Sequence, residues 1–328
     1  MRYLITGGAG FIGSHLSDLL LDEGHSVHVL DDLSTGRLEN VAHLEGRPDF
    51  ACTIGSVSDE RLVAELVADT DAVVHLAAAV GVRLVVERPV RAIETNVHCT
   101  EVVLAHADEQ QKPVMVASTS EVYGKSEALP FREDGDLQMG ATSKARWAYA
   151  CSKAIDEFLA MAYWRERELP VTVVRLFNTV GPRQTGSYGM VVPRLVGQAL
   201  AGEPLTVYGD GRQMRCFCHV ADVVRALSGL LSEPRAAGNV FNVGSTEEVS
   251  IAELARRIIE HTGSSSEISV IPYEEVYGAG FEDMFRRVPD IAKIKSWTGW
   301  SPSRSLDEII GDVADDLRRS AGERSAAT

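Results

Sequence analysis

The sequence predicts an α/β fold: a doubly wound parallel sheet that carries a smaller C-terminal lobe. Three observations lead there. Short apolar, β-branched runs alternate with amphipathic helical stretches through the first 180 residues. The first of those runs opens directly into a glycine-rich turn. Past residue 181 the alternation gives way to loops, short strands and separate helices. Strand–helix–strand repetition implies parallel pairing with helices on both faces, because each crossover must return over the sheet.

The elements follow in chain order. "RYLIT" is the first strand, then "SVHVLD", "AVVHLA", "PVMVAS" and "VTVVRLF", each short and rich in apolar or β-branched residues. Helical periodicity falls between them at 12–23, 59–69, 89–110 and 148–168. Beyond them "GPRQTGSYG" reads as loop, 190–201 as helix, "PLTVYGDG" as strand then turn, and 250–318 as helices with a loop-rich connection. This pattern predicts a sheet domain of 1–180 plus about 215–248. A lobe of about 181–214 and 249–318 is inserted and appended around it. The closing residues 319–328 are small and polar, and are expected to be frayed and flexible.

Composition narrows the function. Lys and Arg number 32 against 47 Asp and Glu, a net charge of −15, which argues against a nucleic-acid or anionic-membrane partner while leaving room for a local basic pocket. No run of about 18 apolar residues suggests a membrane span. The opening "MRYLITGGAGFIG" reads as a strand entering a turn, not as a signal peptide. The five cysteines, an odd number in a large chain, fit a reduced, cytoplasmic protein. Cys216 and Cys218, with His219 beside them, lack a second cluster to complete four metal ligands. They read as strand residues, and no metal is expected.

"TGGAGFIGSH" places Gly7, Gly10 and Gly13 between a strand and a helix. Such glycines allow a tight turn and let the backbone approach a pyrophosphate, which the helix N-terminus attracts. Asp31 ends the second strand, where a carboxylate can accept from adenosine ribose hydroxyls and repel a 2′-phosphate. NAD is therefore favoured over NADP. Arg37 nearby is a mild counter-argument, and Asp32 can be a simple turn acid. These signals define the sheet as Rossmann-type, with a substrate-binding C-terminal lobe.

"ASTSEVYG" brings Thr119, Ser120 and Glu121 to the C-terminal edge of a parallel strand, where side chains face a ligand crevice. "YACSK" places Tyr149 and Lys153 one helical turn apart on one face. A free phenol ionises near ~10. An ammonium one turn away favours the phenolate, and the positive nicotinamide adds to this, so the spacing can make a base of a phenol. The bland alternatives are a polar turn and a neutral pair on a helix face.

Together "ITGGAGFIG", "HLAAAV", "ETNVHCTEVVL", "STSEVYG", "YACSK", "RLFNTVGPR", "PLTVYGDGRQMRCFCHVADVV", "NVFNVGS" and "RRVPDIAKIKSWTGWSP" resemble the extended short-chain dehydrogenase/reductase family, specifically its nucleotide-sugar epimerases, dehydratases and decarboxylases. The resemblance spans most of the chain. It implies Tyr149 as catalytic base, Lys153 as its partner and holder of the nicotinamide ribose, and Thr119 as the hydroxyl at the sugar O4, with Ser120 and Glu121 beside them. It implies cofactor contacts from Phe11 and Ile12 in the glycine turn, and from Ser34, Thr35 and Gly36 beyond Asp31 and Asp32. Ser56 and Val57, then Leu76, Ala77, Ala78 and Val80, then Asn96, Ser118 and Phe177, complete that set. Ser56 stands where relatives place an Asp against the adenine amine. For the substrate the resemblance implies Val82, Asn178, Val191, Val192, Thr206, Tyr208, Arg215 and Asp283, with Arg286 or Arg287 assisting at the diphosphate. It also implies a homodimer through helices 91–110 and 149–168, with Val102, Val103, Leu104, Phe158, Leu159 and Met161 supplying apolar contacts or packing on their own sheet.

Family members share a first oxidation at the sugar C4 and then diverge. Ser120 replaces the dehydratase Asp and is a poor general acid, which disfavours 4,6-dehydration. The triplet Thr119-Ser120-Glu121, "RWAYACSK" and "RCF" fit a UDP-glucuronate decarboxylase. Against that reading, "AAAVGVRLV" stands where decarboxylases carry a proline-containing segment. The small residues from Ala77 to Gly81 can leave room for a keto-sugar to turn over. The sequence therefore favours an NAD-dependent UDP-sugar 4-epimerase narrowly, with the decarboxylase as runner-up. Arg83 or Arg183 can supply a donor to a C5 carboxylate. A non-catalytic NAD-binding module is the alternative of another class, and the complete Tyr149, Lys153 and Thr119 set argues against it.

Overall fold

A computed structural model describes residues 1–79, 88–186, 190–278 and 282–326. Strands β1 (Arg2–Thr6), β2 (Ser26–Asp31), β3 (Phe50–Ile54), β4 (Ala72–His75), β5 (Val114–Thr119), β6 (Val171–Leu176) and β7 (Asn239–Val243) form one seven-stranded sheet. Its order is β7–β6–β5–β4–β1–β2–β3, and every pairing is parallel. The chain thus winds outward from β1 in both directions. The crevice of such a sheet opens beyond the carboxyl ends of β1 and β4, where the winding reverses.

Helices α1 (Phe11–Asp22) and α5 (Val220–Leu231) cover one face, burying Leu16, Leu20, Val223 and Leu227 against Ile5, Val29 and Val74. Helices α2 (Glu60–Ala68), α3 (Pro89–Glu109) and α4 (Ala148–Arg167) cover the other, with Val63, Val67, Val103, Leu104 and Ala160 packed on Leu4, Val73 and Val116. β1 shows why a strand forms here: Leu4 feeds one core and Ile5 the other, the two-sided burial that a parallel strand needs. Asp59 caps α2 by accepting from the Leu62 N–H at 3.1 Å. α4 ends where Glu168 turns left-handed, two residues before Pro170.

Beyond β6 the chain builds a second core. Helices Val191–Ala201, Ile251–Thr262 and Leu306–Ala326 pack Val192, Leu195, Leu254, Ile258, Ile309 and Val313 together. The last of these helices continues to Ala326, so residues 319–326 are helical where an irregular tail is expected, in keeping with their Ala, Arg and Glu content. Between these excursions α5 and β7 return to the main sheet. Strands β3 and β7 are not among the strands that the sequence pattern marks: "FACTI" is only partly buried, and both lie at the edges of the sheet. Cys216 and Cys218 sit on two short strands, Met214–Cys216 and Cys218–His219, both buried, and burial pushes the Cys216 thiol up to about 12.

The two helices expected at a dimer interface use most of their named apolar residues at home. Val102, Val103 and Leu104 are buried in their own core, and Leu159 and Met161 pack against it. On α4, Phe158 is 69% exposed and Ile155 47% exposed. Among the described residues no helix is long and apolar enough to cross a membrane.

Candidate active site

One cleft of about 1480 Å³ runs across the carboxyl edge of the sheet, from the glycine turn to the second core. Gly7 holds φ at +70°, and a Cβ there would lie 2.8 Å from the Ala77 backbone nitrogen. A Cβ on Gly13 would overlap the Gly7 carbonyl oxygen, so α1 can approach the strand only with glycine at that point. Gly10 starts α1 with no side-chain cap, leaving the helix N-terminus to an incoming anion. The Asp31 carboxylate accepts from Ala9 N–H at 3.0 Å and from Leu33 N–H at 2.8 Å, and a Cβ on Gly36 would strike it. Burial raises its pKa. Asp32, Ser34, Thr35, Ser56 and Val57 line the cleft as well, with Phe11 and Ile12 of α1 and with Leu76, Ala77 and Ala78 just past the end of β4. This cradle, shaped for a backbone–pyrophosphate approach with an acid at the ribose position, fits a dinucleotide.

At the other end β5 delivers Ser118 and Thr119, and the turn after it delivers Ser120 and Glu121. α4 delivers Tyr149 and Lys153 to the same wall. The Thr119 hydroxyl hydrogen-bonds the Tyr149 phenol and also accepts from the Glu121 N–H at 3.2 Å. Burial first, then Glu121 and Asp156, push the phenol well above its ordinary range. Lys153 is not the dominant influence expected on that phenol. Its ammonium lies 2.7 Å from Asp156 Oδ2, with the two side chains 3% and 0% exposed.

The floor of the cleft is an alternating cluster of charges. Arg146 is ion-paired to Glu121, and Arg287 Nη1 reaches the other Glu121 oxygen at 3.3 Å. Asp283 accepts from Arg215 Nη2 at 2.7 Å and lies 3.5 Å from Arg146 and 3.8 Å from Arg287. Burial acts to raise the carboxyls of Glu121 and Asp283, but the arginines outweigh it and hold both below their ordinary range. Burial and Arg287 lower the Arg215 guanidinium to about 10. Three guanidiniums thus face two carboxylates, leaving one unit of positive charge for an anionic ligand.

The structure gathers most of the expected residues and relocates some. Asn178, Val191, Val192, Tyr208, Arg215, Asp283 and Arg287 line the cleft. Arg286 does not: it alternates outward on its short strand and pairs with Glu248 at 2.6 Å, which leaves Arg287 as the inward member. Phe177 is buried behind the site against Tyr123. Thr206 is occupied by Gln198 and Arg194. Asn96 holds the wall from behind: its Oδ1 accepts from Ala79 N–H at 2.7 Å and its Nδ2 donates to Ser152 Oγ at 3.1 Å. Arg183 lines the cleft but is bound to Asp18 at 2.8 Å. Val80, Val82 and Arg83 lie outside the described residues.

Arg146 is the main residue that motif reading passes over, although it stands in "RWAYACSK" three positions before Tyr149. Tyr273 and Tyr277, spaced i and i+4, and Arg194, 4.1 Å above the Tyr208 ring, also line the cleft. No motif marks them.

Fold and cleft together define a Rossmann-type enzyme of the extended short-chain dehydrogenase/reductase class. Residues 4–313 match the GDP-mannose 4,6 dehydratase family model, and the chain belongs to that family. It is 44% identical over 313 residues to a UDP-N-acetyl-alpha-D-glucosaminuronate decarboxylase of Bacillus cytotoxicus, covering 95% of this chain and 96% of that one. It is 37% identical to a UDP-glucuronic acid decarboxylase 1 of Xenopus tropicalis, covering 97% of this chain and 72% of the relative. The fold is similar to that of a UDP-glucuronic acid 4-epimerase of Bacillus cereus in complex with UDP-glucuronic acid and NAD, with a TM-score of 0.88 and 27% identity over 97% of this chain and 99% of that one.

Proposed function

We propose that this protein is an NAD-dependent decarboxylase of a UDP-linked uronate, glucuronate or its 2-acetamido counterpart. The observation that carries the reading is Glu121, clamped in the cleft between Arg146 and Arg287 beside Tyr149. The two curated relatives described above are decarboxylases of uronates, which supports it. This reverses the order of preference drawn from sequence alone.

Gly7, Gly10, Gly13 and Asp31 would hold NAD, with Lys153 at its nicotinamide ribose. When bound, NAD supplies a reversible hydride acceptor for the hydrogen on the sugar C4. Tyr149 Oη takes the O4 proton, with the Thr119 hydroxyl orienting both oxygens. A C4 ketone is β to the C5 carboxylate, so the C5–C6 bond can break to release CO₂, its electron pair passing into the enolate at O4. Tyr149, now protonated, faces that oxygen and can stabilise it. Glu121, held ionised, repels a carboxylate that must leave as neutral CO₂, while Arg215 and Arg287 hold the diphosphate. Protonation of C5 from water re-forms the C4 ketone, and the UDP-pentose is completed when the hydride returns to C4 and Tyr149 gives its proton back to O4.

One observation favours the 4-epimerase as a second reading: Ala77, Ala78 and Ala79 line the cleft with small side chains. Incubation with NAD and, separately, UDP-glucuronate, UDP-N-acetylglucosaminuronate and UDP-glucose separates the two. Loss of the mass of CO₂ from a uronate establishes the decarboxylase. An unchanged mass with an inverted C4 proton signal by NMR replaces it with the epimerase.

A further inference from the structure

We propose that Asp156 is a positioning residue for Tyr149: its buried carboxylate draws the Lys153 ammonium back along α4 and sets how much of that charge the phenol feels. The inference rests on reading Tyr149 as the base.

Tyr149, Lys153 and Asp156 follow one another along one side of α4, and Lys153 stands between a phenol one turn before it and a carboxylate one turn after it. The contact to Asp156 is 2.7 Å and shielded from water. Asp156 is itself anchored. Thr100 of α3 favours its charged form, His75 Nε2 of β4 lies 3.2 Å from the Thr100 hydroxyl, and His75 Nδ1 lies 2.8 Å from Thr6 Oγ1 of β1. Thr6 Oγ1 accepts from the Ala77 N–H at 3.3 Å, on the cleft wall. A polar series from α3, β4 and β1 therefore leads from the cleft wall to the carboxylate, whose ion-pair partner is Lys153.

The charges in this series are few. Burial, then Lys153, push His75 down to about 3, so it is neutral. Cys99 on α3 is a neutral thiol, pushed up to about 11 by burial. Glu157 on α4 is bound by Arg175 of β6, Nη2 to Oε2 at 2.7 Å, and by Ser118 of β5. On the far side of the phenol stand Glu121 and Arg146. Lys153 and Asp156 thus form the local pair beside Tyr149, and a neutralised ammonium lowers a phenol's pKa less than a free one. Tyr149 is kept protonated until a further positive charge arrives.

Asp156→Asn removes one negative charge near the phenol and frees the Lys153 field. Both effects favour the phenolate. The test is an ultraviolet titration of the cofactor-free protein, each variant compared with its Tyr149→Phe counterpart, together with the pH profile of kcat/KM. The expected result for Asp156→Asn is a Tyr149 midpoint and an acid limb both moved to lower pH by about one unit or more. Asp156→Glu restores the wild-type values. Should Asp156→Asn fail to fold, Asp156→Ser carries the same comparison. An unmoved or raised midpoint, whatever happens to the rate, overturns the proposal. Failure of the underlying reading looks different: Tyr149→Phe would then keep its activity.

Discussion

Arg146, three residues ahead of Tyr149, and Glu121 form a largely buried ion pair, the guanidinium 4% and the carboxylate 12% exposed. Such a pair is conditionally stabilising. Its desolvation cost is met only while both partners are present. Arg146→Met strands the Glu121 charge beside Arg287 alone and is expected to cost about 3–5 kcal/mol in urea unfolding. Glu121→Gln combined with Arg146→Met is expected to cost less than Arg146→Met alone. A strictly additive double-mutant cycle would show that the two groups do not depend on each other.

Tyr149→Phe removes the proposed proton acceptor and leaves the glycine cradle untouched. The expected loss in kcat is about 10²–10⁴-fold. Affinity for NAD by calorimetry should change by no more than a few-fold, because Asp31 and the α1 N-terminus lie at the other end of the cleft. Retention of most of the rate would remove Tyr149 from the chemistry and shift attention to Glu121.

The parts of this molecule that local chemistry dictates were legible before the fold was known. Gly7 and Gly13 announce a close backbone approach because no other residue fits there. β1 announces a two-faced strand because its side chains must enter two cores. Tyr149 and Lys153 announce a shared face by spacing. What stayed hidden depends on pairings distant in sequence. Arg146 acquires its role from Glu121 and Asp283, the latter more than a hundred residues away. Arg286 and Arg287 are equivalent in text, and the strand pairing with Met214–Cys216 decides which faces the cleft. Lys153 looked committed to Tyr149 because Asp156 reads as an ordinary helix-surface acid until α3 and β4 close over it.

Stability should fall on the acid side for a defined reason. Glu121 and Asp283 have folded-state pKa values held below the ordinary carboxyl range by Arg146, Arg215 and Arg287 acting against burial. A lowered folded value means stability that is fully present above the unfolded pKa, about 4, and lost as pH falls through the folded value. The urea midpoint is therefore expected to hold above about pH 5 and to fall progressively once the pH drops below about 4. Glu121→Gln should flatten that drop, since the variant has one fewer proton to take up. A slope identical to wild type would place the acid sensitivity elsewhere.

The outer side of α4 carries a testable interface. Phe158 is 69% exposed and Ile155 47% exposed, while Ala160, about half a turn of the helix from Phe158, is buried in the sheet core. A large aromatic ring left in water is a burden that a second copy can relieve, and α3 and α4 of two copies would bring four helices together. Two-fold symmetry makes each side chain count twice. Burying Phe158 on both sides is worth about 3–6 kcal/mol, so Phe158→Glu should weaken a homodimer by about 10²–10⁴-fold. Sedimentation at micromolar concentration is expected to give a dimer for the wild type and a monomer for Phe158→Glu, with helix content unchanged by circular dichroism. A wild-type protein that sediments as a monomer would leave this apolar face with no self-association role.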